Sequence, residues 1–205
     1  AVSDVAGALI EPLANAIHLY DSILRVNGPV RRVAIIGAGG QGLMALLTGR
    51  HLGIECDLIE PNASRRDRAL ALGARAVFHP EEPPRPAAEP GYEAVIETAG
   101  YAVSRRLAVQ IAAPGATILY LGLHDATSTV DDLDIINREL TVMGSYAYTK
   151  RDFQRALDLA ATHAFDLEAF NTPMRLAEGV EVFDRLVNRP GDLIKAVLLL
   201  KDDAQ

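Results

Sequence analysis

Val33-Ala34-Ile35-Ile36-Gly37-Ala38-Gly39-Gly40-Gln41-Gly42 is the stretch that decides the fold. Its first four residues form an unbroken apolar run rich in β-branched side chains, the pattern of a strand covered on both faces. The glycines then fall at G-x-G-x-x-G spacing, and apolar residues recur at helical intervals over 41–52. Such a glycine motif is weak alone; between a strand and a helix it reads as a dinucleotide-binding turn. Gly37 would permit the tight turn, Gly39 would let a pyrophosphate approach the backbone, and Gly42 would let helix and strand pack closely. Gly40 and Gln41 would open the helix, whose N-terminus offers unpaired N–H groups and partial positive charge to phosphates. The plainer alternative is a tight turn with no ligand.

The second half of this fingerprint is an acid closing the next strand. Glu60 ends the run 56–60, 18 residues beyond Gly42, near the ~20 expected. A carboxylate there accepts the ribose hydroxyls of NAD and repels the additional phosphate of NADP. Arg65 and Arg66 follow closely and argue the other way, since an arginine can pair with a 2′-phosphate. The acid holds the strand-end position itself, so NAD is the expected cofactor.

Outward from the motif, short β-branched runs alternate with helical patterns. Strands are expected at 32–36, 56–60, 76–78, 94–97, 117–121 and 140–144, with helices at 41–52, 64–72 and 103–112. Gly53 and Gly73 supply helix stops. Strand, helix, strand repeated in this way calls for parallel strands joined by crossover helices: a six-stranded, doubly wound Rossmann α/β sheet. The stretch 79–90 breaks the rhythm with five of the eleven prolines and reads as a surface loop. After Gly144 the pattern changes to a helix at 151–163, an extended piece at 172–176, a helix at 177–188 and a strand at 194–200. The opening segment 8–25 is helical, with Pro12 in its first turn. These end pieces look like parts of another unit, which divides the chain into a nucleotide-binding domain with its leading helix, 1–146, and a C-terminal segment, 147–205.

Composition narrows the function. The 205 residues are 49% hydrophobic and carry a net charge of −7 with no compensating basic block, so nucleic acid and anionic membranes are poor partners. There is one cysteine, Cys56, and five scattered histidines, so neither a disulfide nor a zinc-peptidase pair is written here. Cys56 opens a buried strand and reads as an inert core thiol, and the histidines read as structural or surface, His18 being the least ordinary. No span reaches the ~18 apolar residues of a membrane crossing. Ala1-Val2-Ser3-Asp4 begins neither with methionine nor as a secretory signal. It is read as a processing or cut boundary, with a cytoplasmic location as the default.

Taken in order, the segments resemble the zinc-dependent medium-chain dehydrogenase/reductase family, in its alcohol, polyol and threonine dehydrogenase branch. The resemblance rests on Gly7-Ala8-Leu9-Ile10-Glu11-Pro12-Leu13-Ala14, the glycine turn, Glu60, Leu72-Gly73-Ala74 and Val95-Ile96-Glu97-Thr98-Ala99-Gly100. It continues through Pro114-Gly115, Leu121-Gly122-Leu123, Arg138-Glu139-Leu140-Thr141-Val142-Met143-Gly144-Ser145 and Ile194-Lys195-Ala196-Val197-Leu198.

The resemblance implies an NAD-dependent oxidoreductase cut between its domains. A preceding GroES-like domain would supply most ligands of a catalytic zinc, and the C-terminal helix and strand elements would complete that missing domain. Glu11 matches an acid that lies at the zinc, although one carboxylate cannot hold zinc alone, and an acid at a helix N-terminus is also favoured by the dipole. Asn15 would approach the nicotinamide. Leu121, Ser145 and Ala147 match positions whose backbone binds its carboxamide, and Thr98 and Ala99 lie where the family meets the cofactor ribose. Gln41 departs from the apolar residue usual at its position, and 79–90 looks altered. The family associates through a sheet edge near 128–138, which implies a homo-oligomer. The expectation is a chain that binds NAD without turnover, the intact enzyme passing hydride between a small alcohol or polyol and the nicotinamide. The rivals are a stand-alone NAD-binding or sensing module and a zinc-free NADPH-dependent reductase.

Overall fold

The computed structural model describes residues 2–84, 91–163, 166–169, 171–188, 191 and 193–200. Six strands, β1 (Arg32–Ile36), β2 (Glu55–Ile59), β3 (Ala76–Phe78), β4 (Tyr92–Glu97), β5 (Ala112–Tyr120) and β6 (Thr141–Gly144), pair in parallel in the order β3-β2-β1-β4-β5-β6. The order reverses direction between β1 and β4, so a crevice opens outside their C-terminal ends, where open α/β sheets bind ligands. The sheet is the expected doubly wound Rossmann sheet.

The helices that cover it are α1 (Asp4–Gly7), α2 (Ile10–Asn27), α3 (Gly40–His51), α4 (Ala63–Ala71), α5 (Ala102–Ile111) and α6 (Asp132–Asn137). α2 carries Pro12 in its first turn, as the sequence suggested, and stops at Gly28, whose φ of +74° suits glycine. α4 begins on Asn62, whose side chain accepts the Arg65 N–H at 3.2 Å, satisfying one of the unpaired donors of a helix start.

Two apolar cores lie on the two faces of the sheet. One joins α2 and α3 to β1, β2 and β4 through fully buried Leu13, Leu19, Tyr20, Ile35, Leu43 and Leu58. The other packs α5 on β4 and β5 through Val95, Ala108, Val109 and Ile118.

Beyond β6 come α7 (Lys150–Ala161), β7 (Asn171–Arg175), a single 3-10 turn at Leu176–Glu178, α8 (Gly179–Asn188) and β8 (Lys195–Leu199). α7 starts with a reciprocal Thr149–Asp152 cap and packs on α2, with Ala156 and Ala160 buried in the first core. The C-terminal segment is therefore tied to the sheet by α7. Among the described residues β7 and β8 pair only with each other, and α8 exposes Val180, Phe183 and Val187. Residues 79–84 form the described part of the proline-rich loop, and its remainder, 85–90, lies outside the described residues. No helix among the described residues is long and apolar enough to cross a membrane.

Candidate functional site

The glycine turn has the geometry its spacing implies. Gly37 takes φ +102°, and a Cβ there would lie 2.7 Å from Thr98 Oγ1, so both conformation and close approach demand glycine. Its N–H donates to the Ile59 carbonyl at 2.9 Å, stitching the turn to the end of β2. A Cβ on Gly42 would sit 1.9 Å from the Gly37 carbonyl oxygen: helix and turn touch backbone to backbone. Gly39 and Gly40 differ, because nothing lies within 4 Å of where their Cβ atoms would be. Gly39 caps α3 with no side chain on its first N–H groups, and no acid occupies the first turn. The unpaired donors and the positive end of the helix dipole at this helix start are an arrangement that favours an anion.

Glu60 stands opposite, 6% exposed. Its Oε2 accepts the Ala38 N–H at 2.8 Å and its Oε1 accepts the Asn62 N–H at 3.0 Å. The carboxylate thus braces the glycine turn while keeping lone pairs for other donors. Arg65 Nε and Nη2 donate to the carbonyls of Gly191 and Leu193 at 3.2 and 3.1 Å. Arg66 Nη1 donates to the carbonyls of Glu60 and Pro61, each at 2.7 Å.

The end of β4 forms the third wall. Thr98 Oγ1 donates to the Ile36 carbonyl at 2.9 Å. Glu97 is fully buried, and its Oε1 accepts from Gly100 N–H at 2.7 Å and from Ser104 Oγ at 2.8 Å, fixing the turn into α5. Its other oxygen has no partner among the described residues. The Tyr120 phenol is pushed up from its ordinary value, first by burial and then by the Glu97 charge. Gly100 and Gly122 meet backbone to backbone, a Cβ on Gly122 falling 2.1 Å from Gly100 N.

Between these walls lies a cavity of about 910 Å³, at the upper end of the range for small-molecule and cofactor sites. Gly37, Gly39, Gly40, Gln41, Glu60, Arg65, Thr98 and Ala99 line it, and Gly42 lies in the turn beneath. The buried Gln41 Oε1 has no partner among the described residues, an unsatisfied acceptor on the wall. Sequence reading missed the contribution of α5 (Ser104, Leu107) and of Tyr101, whose ring stacks on His124 at 4.3 Å between centroids on the rim. The signal was present in Thr98-Ala99-Gly100, a strand end running into a helix start.

Besides Gly42, five sequence-marked residues, Glu11, Asn15, Leu121, Ser145 and Ala147, do not line this cavity. Leu121 and Ser145 follow β5 and β6 on the same C-terminal edge of the sheet. The Leu121 N–H donates to the Glu97 carbonyl at 2.9 Å and the Ser145 N–H to the Tyr120 carbonyl at 2.9 Å. Ala147 takes φ +55°, a left-handed conformation costing an alanine roughly 1 kcal/mol. On α2, exposed Glu11 Oε1 accepts from Asn15 Nδ2 at 2.8 Å. One helical turn on, His18 Nδ1 lies 2.9 Å from Asp152 Oδ2. Burial opposes ionisation of Asp152, but hydrogen bonds from Thr149 and His18 outweigh it and hold the carboxyl below its ordinary value.

Among the described residues no three His, Cys, Asp or Glu side chains gather where they could hold an ion. Glu11 alone cannot form a zinc site, which needs three or four protein ligands. Cys56 is no candidate: it is 1% exposed and burial pushes its thiol up to about 11.

Comparison with known proteins bears on the same stretch. Residues 40–162 match the zinc-binding dehydrogenase family. The uncharacterized zinc-type alcohol dehydrogenase-like protein YdjJ of Escherichia coli K12 is 29% identical over 204 residues, covering 96% of this chain and 58% of that protein. The D-xylulose reductase of Saccharomyces cerevisiae is 26% identical, covering 96% and 58%. Among solved structures, a short chain alcohol dehydrogenase (rspB) from E. coli CFT073 complexed with NADH superposes with a TM-score of 0.85 at 19% identity, covering 97% of this chain and 60% of that one. A protein from Sinorhizobium meliloti 1021, solved bound to NADP, superposes with a TM-score of 0.79 at 30% identity, covering 88% and 56%. The chain spans a little over half the length of these proteins. With its glycine turn, sheet order and more than half of its residues matched, the chain belongs to the zinc-binding dehydrogenase family.

Proposed function

We propose that this chain is the cofactor-binding part of an NAD-dependent dehydrogenase acting on a small alcohol or polyol. The observation that carries the reading is the convergence of three features on one cavity. These are the open backbone at Gly39, the uncapped N–H groups of α3 and the buried Glu60 carboxylate. Phosphates fit the first two and ribose hydroxyls the third. The substrate class follows the alcohol and D-xylulose names of the relatives, which are longer proteins.

NAD supplies the hydride-accepting nicotinamide when bound; everything else is orientation by the chain. The α3 N-terminus and Gly39 hold the pyrophosphate, Glu60 and Arg65 lie at the adenosine ribose, and Thr98 and Ala99 flank the dinucleotide beside the turn. Leu121, Ser145, Ala147 and Asn15, along the same strand-end edge and on α2, are proposed for the nicotinamide end. Proteins of this fold have been solved with NADH and with NADP, so the choice rests on the β2 end, where Glu60 favours the unphosphorylated ribose.

The described residues do not by themselves form a zinc site. Glu11, positioned by Asn15, is proposed to face a metal whose remaining ligands come from outside these 205 residues, and the segment from 147 onward to pack on the part that supplies them. The outer edge of the sheet, β6 with exposed Leu133 and Ile136 on α6, is proposed as the contact of a homo-oligomer. The test is binding without chemistry: one dinucleotide taken up per chain, and no NADH formed from NAD and an alcohol or polyol. Absence of binding would overturn the reading, and turnover by this chain alone would overturn its dependence on outside ligands.

A further inference from the structure

The turn after β2 presents two arginines where a cation could meet a phosphate on the adenosine ribose, yet both guanidinium groups are engaged elsewhere. Arg66 curls back onto the end of its own strand, with Nη1 on the carbonyls of Glu60 and Pro61. Arg65 lines the cofactor cavity beside Glu60, but its Nε and Nη2 reach the carbonyls of Gly191 and Leu193, at 3.2 and 3.1 Å. Those two donors form the side-on edge of the guanidinium fork, an edge that otherwise takes two oxygens of one phosphate. Gly191 and Leu193 are themselves anchored. Asn62 Nδ2 donates to the same Gly191 carbonyl at 3.1 Å, Leu193 is 4% exposed, and Gly191 takes φ +52°, a conformation suited to glycine.

We propose that Arg65 is a specificity-determining residue acting by restraint. The carbonyls of Gly191 and Leu193 withhold its guanidinium from the cavity, and these remote residues join Glu60 in setting the preference against a 2′-phosphorylated dinucleotide. The inference rests on the NAD reading above. A guanidinium free at the cavity wall would make charge-assisted hydrogen bonds to a phosphate dianion, stronger than those it makes to neutral carbonyls. To use Arg65 where it is, a phosphorylated cofactor must first break two hydrogen bonds and turn the fork away from residues 191 and 193. The C-terminal segment thereby influences cofactor choice without touching the cofactor.

The test loosens the restraint and leaves Arg65 in place. Asn62→Ser keeps an oxygen to cap α4 while removing the amide that holds the Gly191 carbonyl; Leu193→Ala weakens the buried anchor at residue 193. Each variant and the pair are titrated calorimetrically with NAD and with NADP, with and without Arg65→Ala. In the paired variant the affinity for NADP relative to NAD rises about tenfold, the scale of one charge-assisted hydrogen bond, and the gain disappears when Arg65→Ala is added. Asn62→Ser alone moves the ratio the same way by about threefold and carries the test where Leu193→Ala does not fold. An unchanged ratio in a variant that still binds NAD overturns the restraint, as does a gain that survives Arg65→Ala. Failure of the unsubstituted chain to bind either dinucleotide is a separate result, which removes the NAD reading and the restraint with it.

Discussion

The Glu60 carboxylate accepts the Ala38 N–H at 2.8 Å, so the acid that closes β2 also holds the second residue of the glycine turn. One side chain couples the glycine turn, proposed to hold the phosphates, to the wall of the cavity at the end of β2. Glu60→Gln replaces one of its two oxygens by an NH2 group, which donates and cannot accept from a backbone N–H. NAD affinity is expected to fall about tenfold and stability by about 1–2 kcal/mol. Calorimetric titration and urea unfolding of the same variant measure the two effects. Loss of stability with unchanged NAD affinity would leave Glu60 a purely structural brace.

Gly39 and Gly42 belong to one motif and should fail differently. Gly42→Ala drives a Cβ to 1.9 Å from a backbone oxygen, so helix and strand must part, and the loss of stability should exceed about 3 kcal/mol. Gly39→Ala meets open space at an ordinary φ of −78°. Its unfolding midpoint should stay within about 0.5 kcal/mol of the parent while NAD binding weakens at least tenfold. Equal losses of stability in the two variants would contradict this division.

At the other end of the sheet, Asp57 is fully buried and receives Arg32 at 2.8 Å, Arg75 at 2.9 Å and the Tyr92 hydroxyl at 2.8 Å. Burial opposes its charge, but hydrogen bonds from Arg75, Arg32 and Tyr92 outweigh that and hold the carboxyl below its ordinary value. A depressed carboxylate stabilises fully above its unfolded pKa of about 3.9, and loses that contribution as pH falls through the lower folded value. Asp57→Asn should cost about 3 kcal/mol at pH 7 and flatten the acid limb of the stability curve below pH ~4. Denaturant unfolding at several acid pH values checks both, and a parallel curve for parent and variant would remove Asp57 from the account.

Association through the sheet edge has its own handle. Ile136 is 67% exposed on α6, beside β6, so Ile136→Glu should leave the fold and NAD affinity intact while converting an oligomer to monomer in sedimentation. A parent chain that sediments only as a monomer would contradict the proposal.

Much of this fold was legible because it is local. β1 and β3 fall on the expected residues, and α3, α4 and α5 within one residue, since apolar runs and glycine stops are written in the chain itself. α6 was not foreseen: six residues, Asp132–Asn137, show no usable periodicity, and the helix is set by an Asp131 side chain accepting from Asp134 N–H. β5 begins five residues earlier than expected, at Ala112, because the chain crosses Pro114-Gly115 without leaving the strand. Gly115 takes φ +76° there, and the pairing with β4 shifts register between Tyr92 and Ala94. In the site, the glycines and Glu60 were readable as a spaced motif. The hold on Arg65 was not, because its partners are backbone carbonyls 126 and 128 residues away, and no pattern of residue types encodes such a contact.

The cavity between Gly39, the start of α3 and Glu60 is proposed as a nicotinamide dinucleotide site. Calorimetric titration of the 205-residue chain with NAD and then with NADP at matched salt tests it most directly. One dinucleotide per chain, with NAD bound more tightly than NADP, is the predicted result; no heat of binding with either would contradict it.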